Sequence, residues 1–91
     1  MKVKNIASNM TEISLEDGTL VLVSYETPVA ARIFSLATEN DGCALFRTSK
    51  KWSQTTTRHI NKWLRDTFSD ERAKRAKEMP QEFFDNLLSV A

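Results

Sequence analysis

The sequence predicts a small α+β domain: an antiparallel β-sheet of three to four strands from the N-terminal half, packed against two to three C-terminal helices. Three observations carry this. Apolar and polar residues alternate through "TEISLE" (11–16), the period of a half-buried strand, and an Asp-Gly pair joins that run to a second β-rich run in a hairpin over 11–25. From residue 53 onward apolar residues recur at three- and four-residue spacing, the period of an amphipathic helix. Strand-like runs precede helical runs instead of alternating with them, which is the α+β pattern. The chain of 91 residues is one domain, 1–91, mainly strands over 1–48 and mainly helices over 53–91. A chain of this size buries only about 60–65% of its unfolded surface, so little room is left for a deep substrate cavity.

The elements follow in order. "KVKNIA", with Val3 and Ile6 in a polar-interrupted run, reads as an edge strand. "TEISLE" puts Ile13 and Leu15 on one face and Glu12, Ser14 and Glu16 on the other. Asp17-Gly18 then stands before "TLVLVSY", and an Asp-Gly pair between two β-rich runs signals a hairpin with a two-residue turn that has positive φ at both positions. The second strand of that hairpin is apolar on both faces, Leu20 and Leu22 against Val21, Val23 and Tyr25, which marks a central strand. Thr27-Pro28 is expected to interrupt the ladder, because proline has no N–H to donate. "VAARIF" fits either a strand or a short helix; "ATENDG" (37–42) reads as a turn, and "CALFRTS" as another strand.

Ser53 or Thr55 caps a helix to about Asp66, with Thr56, Ile60, Trp63, Leu64 and Thr67 on one side. "SDERAKRAKE" follows as a solvated helix, capped by Ser69, with acids in its first turn and bases in its last. Pro80 suits the first turn of a final apolar helix, "PQEFFDNLLSV".

Charge is unevenly placed. Residues 1–46 carry three bases and six acids, 47–65 carry six bases and no acid, and 66–91 carry four bases and six acids; the total is +1. The acid-free block contains Arg47, Lys50, Lys51, Arg58, Lys62 and Arg65. Arg58, Lys62 and Arg65 sit at i, i+4 and i+7 of a helix, hence on a common stripe. Six cations without neighbouring acids attract phosphates, and Ser49, Ser53, Gln54, Thr55 and Thr57 add neutral donors of the kind that contact phosphate oxygens. Trp52 lies inside the block, placed to stack on a base, to cover a cation, or to staple the chain to the helix start. Trp63 shares a face with Ile60 and Leu64 and reads as core. The candidate binding residues are therefore Arg47, Lys50, Lys51, Trp52, Arg58, Lys62 and Arg65. The bland alternative is a solvated helix face screened by the acidic hairpin.

Catalysis has little to stand on. There is one histidine, His59, and one cysteine, Cys43, and the cysteine falls in an apolar strand where thiols are usually inert. Metal-ligand spacings are missing and the two glycines are too few for a phosphate-cradling loop. No cofactor, metal or small-molecule substrate is expected. Neither a signal-peptide block nor an apolar run long enough to span a bilayer is present, and a lone cysteine permits no internal disulfide, so the expected location is the cytoplasm of a host cell.

Three segments, "SYETPVAA" (24–31), "RTSKKWSQTTTRHINKWL" (47–64) and "PQEFFDNLL" (80–88), resemble a family of short proteins encoded by bacteriophages, prophages and plasmids. The resemblance covers under half of the chain, in three spaced blocks, and "FSLATEND" (34–41) is longer than the corresponding loop of that family. Part of this pool is anti-CRISPR, and the chain also resembles inhibitors of the type I-F class. The resemblance implies a non-enzymatic protein that binds a host CRISPR ribonucleoprotein complex along its guide RNA and blocks target DNA hybridisation, with the basic block facing guide RNA or its protein bed. Such an inhibitor would also present acids to a basic groove, which makes Glu12, Glu16 and Asp17 a second candidate surface. The alternatives are a free nucleic-acid-binding protein or regulator of a mobile element, and an adaptor that oligomerises through its apolar C-terminal helix.

Overall fold

The computed structural model describes residues 2–33 and 44–89. Within them the α+β class holds, but the sheet is larger than expected. Strands β1 (Lys2–Ala7), β2 (Met10–Ser14), β3 (Leu20–Ser24), β4 (Thr27–Ile33), β5 (Ala44–Thr48) and β6 (Lys77–Met79) form one six-stranded sheet in sequence order. The first five pair antiparallel and β6 pairs parallel to β5, so the sheet is mixed. Helices α1 (Gln54–Thr67) and α2 (Asp70–Lys74) carry the chain from β5 to β6, and α3 (Gln81–Ser89) follows.

Helices cover both faces. Alternation along β3 explains it: Leu22 turns to a cluster with Met10, Val29, Ala30 and the α1 residues Ile60, Trp63 and Leu64. Its neighbours Val21 and Val23 turn to the opposite cluster, with Ala31, Ile33, Phe46 and Phe84 of α3. A strand apolar on both faces needs a cover on both, and β3 lies inside the sheet where it gets them.

Three local expectations are corrected. The β2–β3 turn spans three residues: the Leu15 N–H donates to the Thr19 carbonyl (2.8 Å) and the Gly18 N–H to the Leu15 carbonyl (3.1 Å). Only Gly18 takes positive φ there (91°), so Asp17 is free to accept from the Thr19 N–H with its side chain at 3.0 Å. Thr27-Pro28 does not break the ladder. Leu22 pairs with Ala30 and Val23 with Pro28, so Val29 is an extra residue, and the bulge absorbs the missing proline donor. The helix expected through "SDERAKRAKE" ends at Lys74, and Lys77–Met79 becomes an edge strand. Pro80 disfavours α geometry at Met79, and Met79 in the extended form packs into the α3-side cluster.

The segment "VAARIF" resolves as strand through Ile33. The turn expected at 37–42, Cys43 and the stretch 34–41 lie outside the described residues. Among the described residues no helix is long and apolar enough to cross a membrane.

Candidate functional site

The basic block begins where β5 ends. Successive strand residues point to opposite faces, so Phe46 enters the α3-side core while Arg47 turns to the α1 side. Thr48 turns back and is buried; its hydroxyl donates to Gln81 Oε1 at 2.9 Å and accepts from the Lys50 N–H at 3.2 Å. This second bond folds the chain tightly after the strand. Ser53 then caps α1, its hydroxyl accepting from the Thr56 N–H at 3.1 Å.

The result is a cleft of about 740 Å³ between the β5–α1 loop and the first turns of α1. Arg47, Lys50, Lys51, Trp52 and Arg58 line it, with hydroxyl or amide groups from Ser49, Gln54 and Thr57. Ser53, Gln54 and Thr57 at the start of α1 line the cleft, so the positive end of the helix dipole lies beside it, and the first turn holds no acidic residue to offset it. One acid, Glu78, lines the cleft too; it sits in register with Arg47 across the β5–β6 pair. Among the described residues no carboxylate lies within 4.0 Å of Arg47, Lys50, Lys51, Arg58 or Arg65.

Trp52 is 42% exposed at the cleft. The Lys50 ammonium lies 4.2 Å from its ring centroid, and its Nε1 donates to Gln81 Oε1 at 3.1 Å. It is therefore no hydrophobic staple: it precedes the N-cap, but the position four into the helix is Thr57, which offers no large apolar surface. Gln81 was invisible to sequence reasoning. Its Nε2 donates to the Pro28 carbonyl at 2.6 Å and to Asp85 Oδ1 at 3.1 Å, so one side chain ties the cleft rim to β4 and to α3. A glutamine just after a helix-starting proline carries no signal of such a role.

The helical stripe divides. Arg58 lines the cleft, and Arg65 lines an adjoining groove with Arg47, Asn61, Asp70 and Lys74. Lys62 does not join them. It lines a third recess with Lys4, Glu12 and Trp63, and its ammonium pairs with Asp66 at 3.1 Å. The i,i+4 spacing to Asp66 was available in the sequence and explains the pairing. Arg47 is held by a bond from its Nη1 to Asn61 Oδ1 at 3.0 Å.

The acidic hairpin is only partly a surface. Glu12 faces α1 and accepts from Trp63 Nε1 at 2.9 Å, while Glu16 and Asp17 stay exposed at the turn. The bonds from Thr19 hold the Asp17 carboxyl below its ordinary range. Trp63 is buried, as its face predicts.

His59 is half-buried, with Nδ1 2.8 Å from the Ser24 hydroxyl and its ring 5.9 Å from that of Tyr25. Ser24, 2% exposed, also donates to the Thr56 hydroxyl at 3.3 Å. Tyr25 holds a left-handed backbone (φ 59°), and its N–H donates to the carbonyl of Asn9 (φ 61°) at 2.8 Å, so two such turns brace each other. Among the described residues no group of three or more His, Cys, Asp or Glu side chains is placed to hold a metal ion.

The arrangement can hold an anion that carries several charges, with an aromatic face beside it. A family model matches residues 1–86, more than nine-tenths of the chain, and its description is a family of unknown function, DUF8033. The chain belongs to that family. No curated protein and no solved structure matches it.

Proposed function

We propose that this DUF8033 member is a non-enzymatic binding protein whose cationic cleft takes the phosphate backbone of a nucleic acid, bare or as the guide strand of a ribonucleoprotein. The observation that carries the reading is the convergence of Arg47, Lys50, Lys51 and Arg58 on one cleft, beside the exposed Trp52 and an acid-free helix start. Guanidinium groups suit phosphate because their donors form a planar fork, and Lys50 and Lys51 add mobile point charges. Catalysis needs a nucleophile or base aimed into the site; the cleft lining offers hydroxyls, cations and one carboxylate, Glu78, which sits in register with Arg47, and His59 is turned toward Ser24.

The resemblance to phage-encoded proteins gives the proposal its specific form: an anti-CRISPR inhibitor that covers guide RNA in a type I surveillance complex. The test has two arms. Labelled single-stranded oligonucleotides are titrated with the protein at several salt concentrations, and the protein is used as bait in bacteria carrying a type I CRISPR system, with phage plaquing as readout. Salt-sensitive binding that is lost on Lys50→Glu with Arg58→Glu supports the cleft. Recovery of Cas proteins and rescue of phage, both lost in the same variant, support the inhibitor form. Binding in neither arm removes the proposal.

A further inference from the structure

We propose that the groove beside the cleft extends it, and that the two together bind one single strand of nucleic acid over several consecutive phosphates; this rests on the reading of the cleft given above. The groove has a volume of about 450 Å³ and is lined by Arg47, Asn61, Arg65, Asp70, Ala73 and Lys74. Arg47 lines both spaces, so its side chain is common to the two. The bond to Asn61 fixes its guanidinium, a planar donor fork suited to a phosphate lying between the two spaces.

The spacing of the cations on either side suits a polymer better than a small anion. Arg58 and Arg65 are seven residues apart on α1, close to two turns, which sets them on one side about 10 Å apart along the axis. A single phosphate cannot span that distance, and a chain of phosphates can. Each space holds one acid, Glu78 in the cleft and Asp70 in the groove, against a majority of bases. Lys62, on the same helix but bonded to Asp66, marks the boundary of the track.

The choice of single strand comes from Trp52. Its indole lies at the cleft and is half exposed, and stacking on an aromatic ring is open to an unpaired base and closed to a base inside a duplex. The bond to Gln81 holds the ring at the rim, and Lys50 is the cation that an arriving base would displace from it.

The experiment measures anisotropy of labelled oligothymidylates of about four and about sixteen nucleotides, lengths that bracket known single-strand sites, and of a duplex of the longer length, against the full chain at several salt concentrations. The long strand is expected to bind more tightly than the short one and than the duplex. Arg65→Gln with Lys74→Gln is expected to weaken the long strand alone and to lower its log–log salt slope by about 0.7 for each phosphate that the variant leaves unneutralised. Both residues are exposed, and a melting curve matching that of the unsubstituted protein shows the fold is kept. If that variant leaves the long strand's affinity and slope unchanged while Lys50→Gln with Arg58→Gln weakens both strands, the extension is overturned and the cleft reading stands. A duplex that binds as tightly as the single strand, or a polyglutamate that competes as well as the oligonucleotide, overturns the choice of ligand. Absence of binding to any oligonucleotide overturns the extension, and it overturns the cleft reading as well if the protein also recovers no ribonucleoprotein from bacteria carrying a type I CRISPR system.

Discussion

On the α3 side of the sheet, Phe83 packs tilted against Phe46 and edge-to-face against Phe84, each at a ring separation of 5.2 Å, and Val21, Val23, Ala31 and Ile33 complete an apolar layer. On the α1 side the layer is interrupted by polar bonds: Ser24 to His59 and Thr56, and Trp63 to Glu12. Both faces bury side chains completely, yet they do different work. The α3 side holds the domain together by area and packing. The α1 side also fixes directions, because buried polar groups must find partners. Directed groups are what a binding rim needs, and Arg47, Trp52 and Arg58 all rise from that side or from the loop leading to it. The exception is Gln81 on α3, which anchors that loop through its bonds with Thr48 and Trp52.

The contrast can be broken or sharpened by substitution. The largest effect is expected at Phe84, which is fully buried on the apolar side. Phe84→Ala should cost about 3–5 kcal/mol by chemical denaturation, a large share of what a domain of this size holds. Ser24→Ala, on the polar side, should cost about 1–3 kcal/mol, because it strips a partner from His59 and Thr56 in a buried place. A loss as large as that at Phe84 would erase the distinction between the faces. Ser53→Ala removes the cap of α1 and should cost about 1 kcal/mol; because the same helix start opens on the cleft, oligonucleotide affinity should fall with it.

The combined Lys50→Gln, Lys51→Gln and Arg58→Gln variant should change stability by about 0.5 kcal/mol or less per substitution, as exposed residues do. It should nonetheless abolish oligonucleotide binding, whereas Lys62→Gln should leave binding intact. Equal losses from the two would mean that charge alone matters and that the cleft has no special standing. The smallest effect concerns Asp17. Its carboxyl titrates below the ordinary value because Thr19 bonds to the charged form. The folded-state value is the lower one, so the contribution is present above the ordinary carboxylate range and is lost as pH falls through Asp17's own value. Asp17→Asn should flatten that part of the acid-unfolding profile slightly.

Much of the fold was legible in the order of residues. Ser53 as one of two candidate caps of α1, the alternation of β2, the two apolar faces of β3, Trp63 as core and Pro80 at the start of α3 follow from side-chain periods and caps, which act over a few residues. One edge of the sheet, β1, was legible in "KVKNIA"; the other, β6, was not. "KEM" as a strand depends on an unpaired edge of β5 being next to it, and on Pro80 keeping Met79 extended. The position of the extra residue in β4 depends on its register with β3, which no local pattern encodes.

The sequence by itself determined that six cations are gathered without an acid between them, and that a capped amphipathic helix carries half of them. Tertiary structure alone decided which of them work together. Strand alternation turned Arg47 toward the helix, and the bond from the Lys50 N–H to buried Thr48 folded the following loop back. Helical spacing places side chains on a shared stripe, but only the surfaces packed on either side of that stripe decide which groove each one faces.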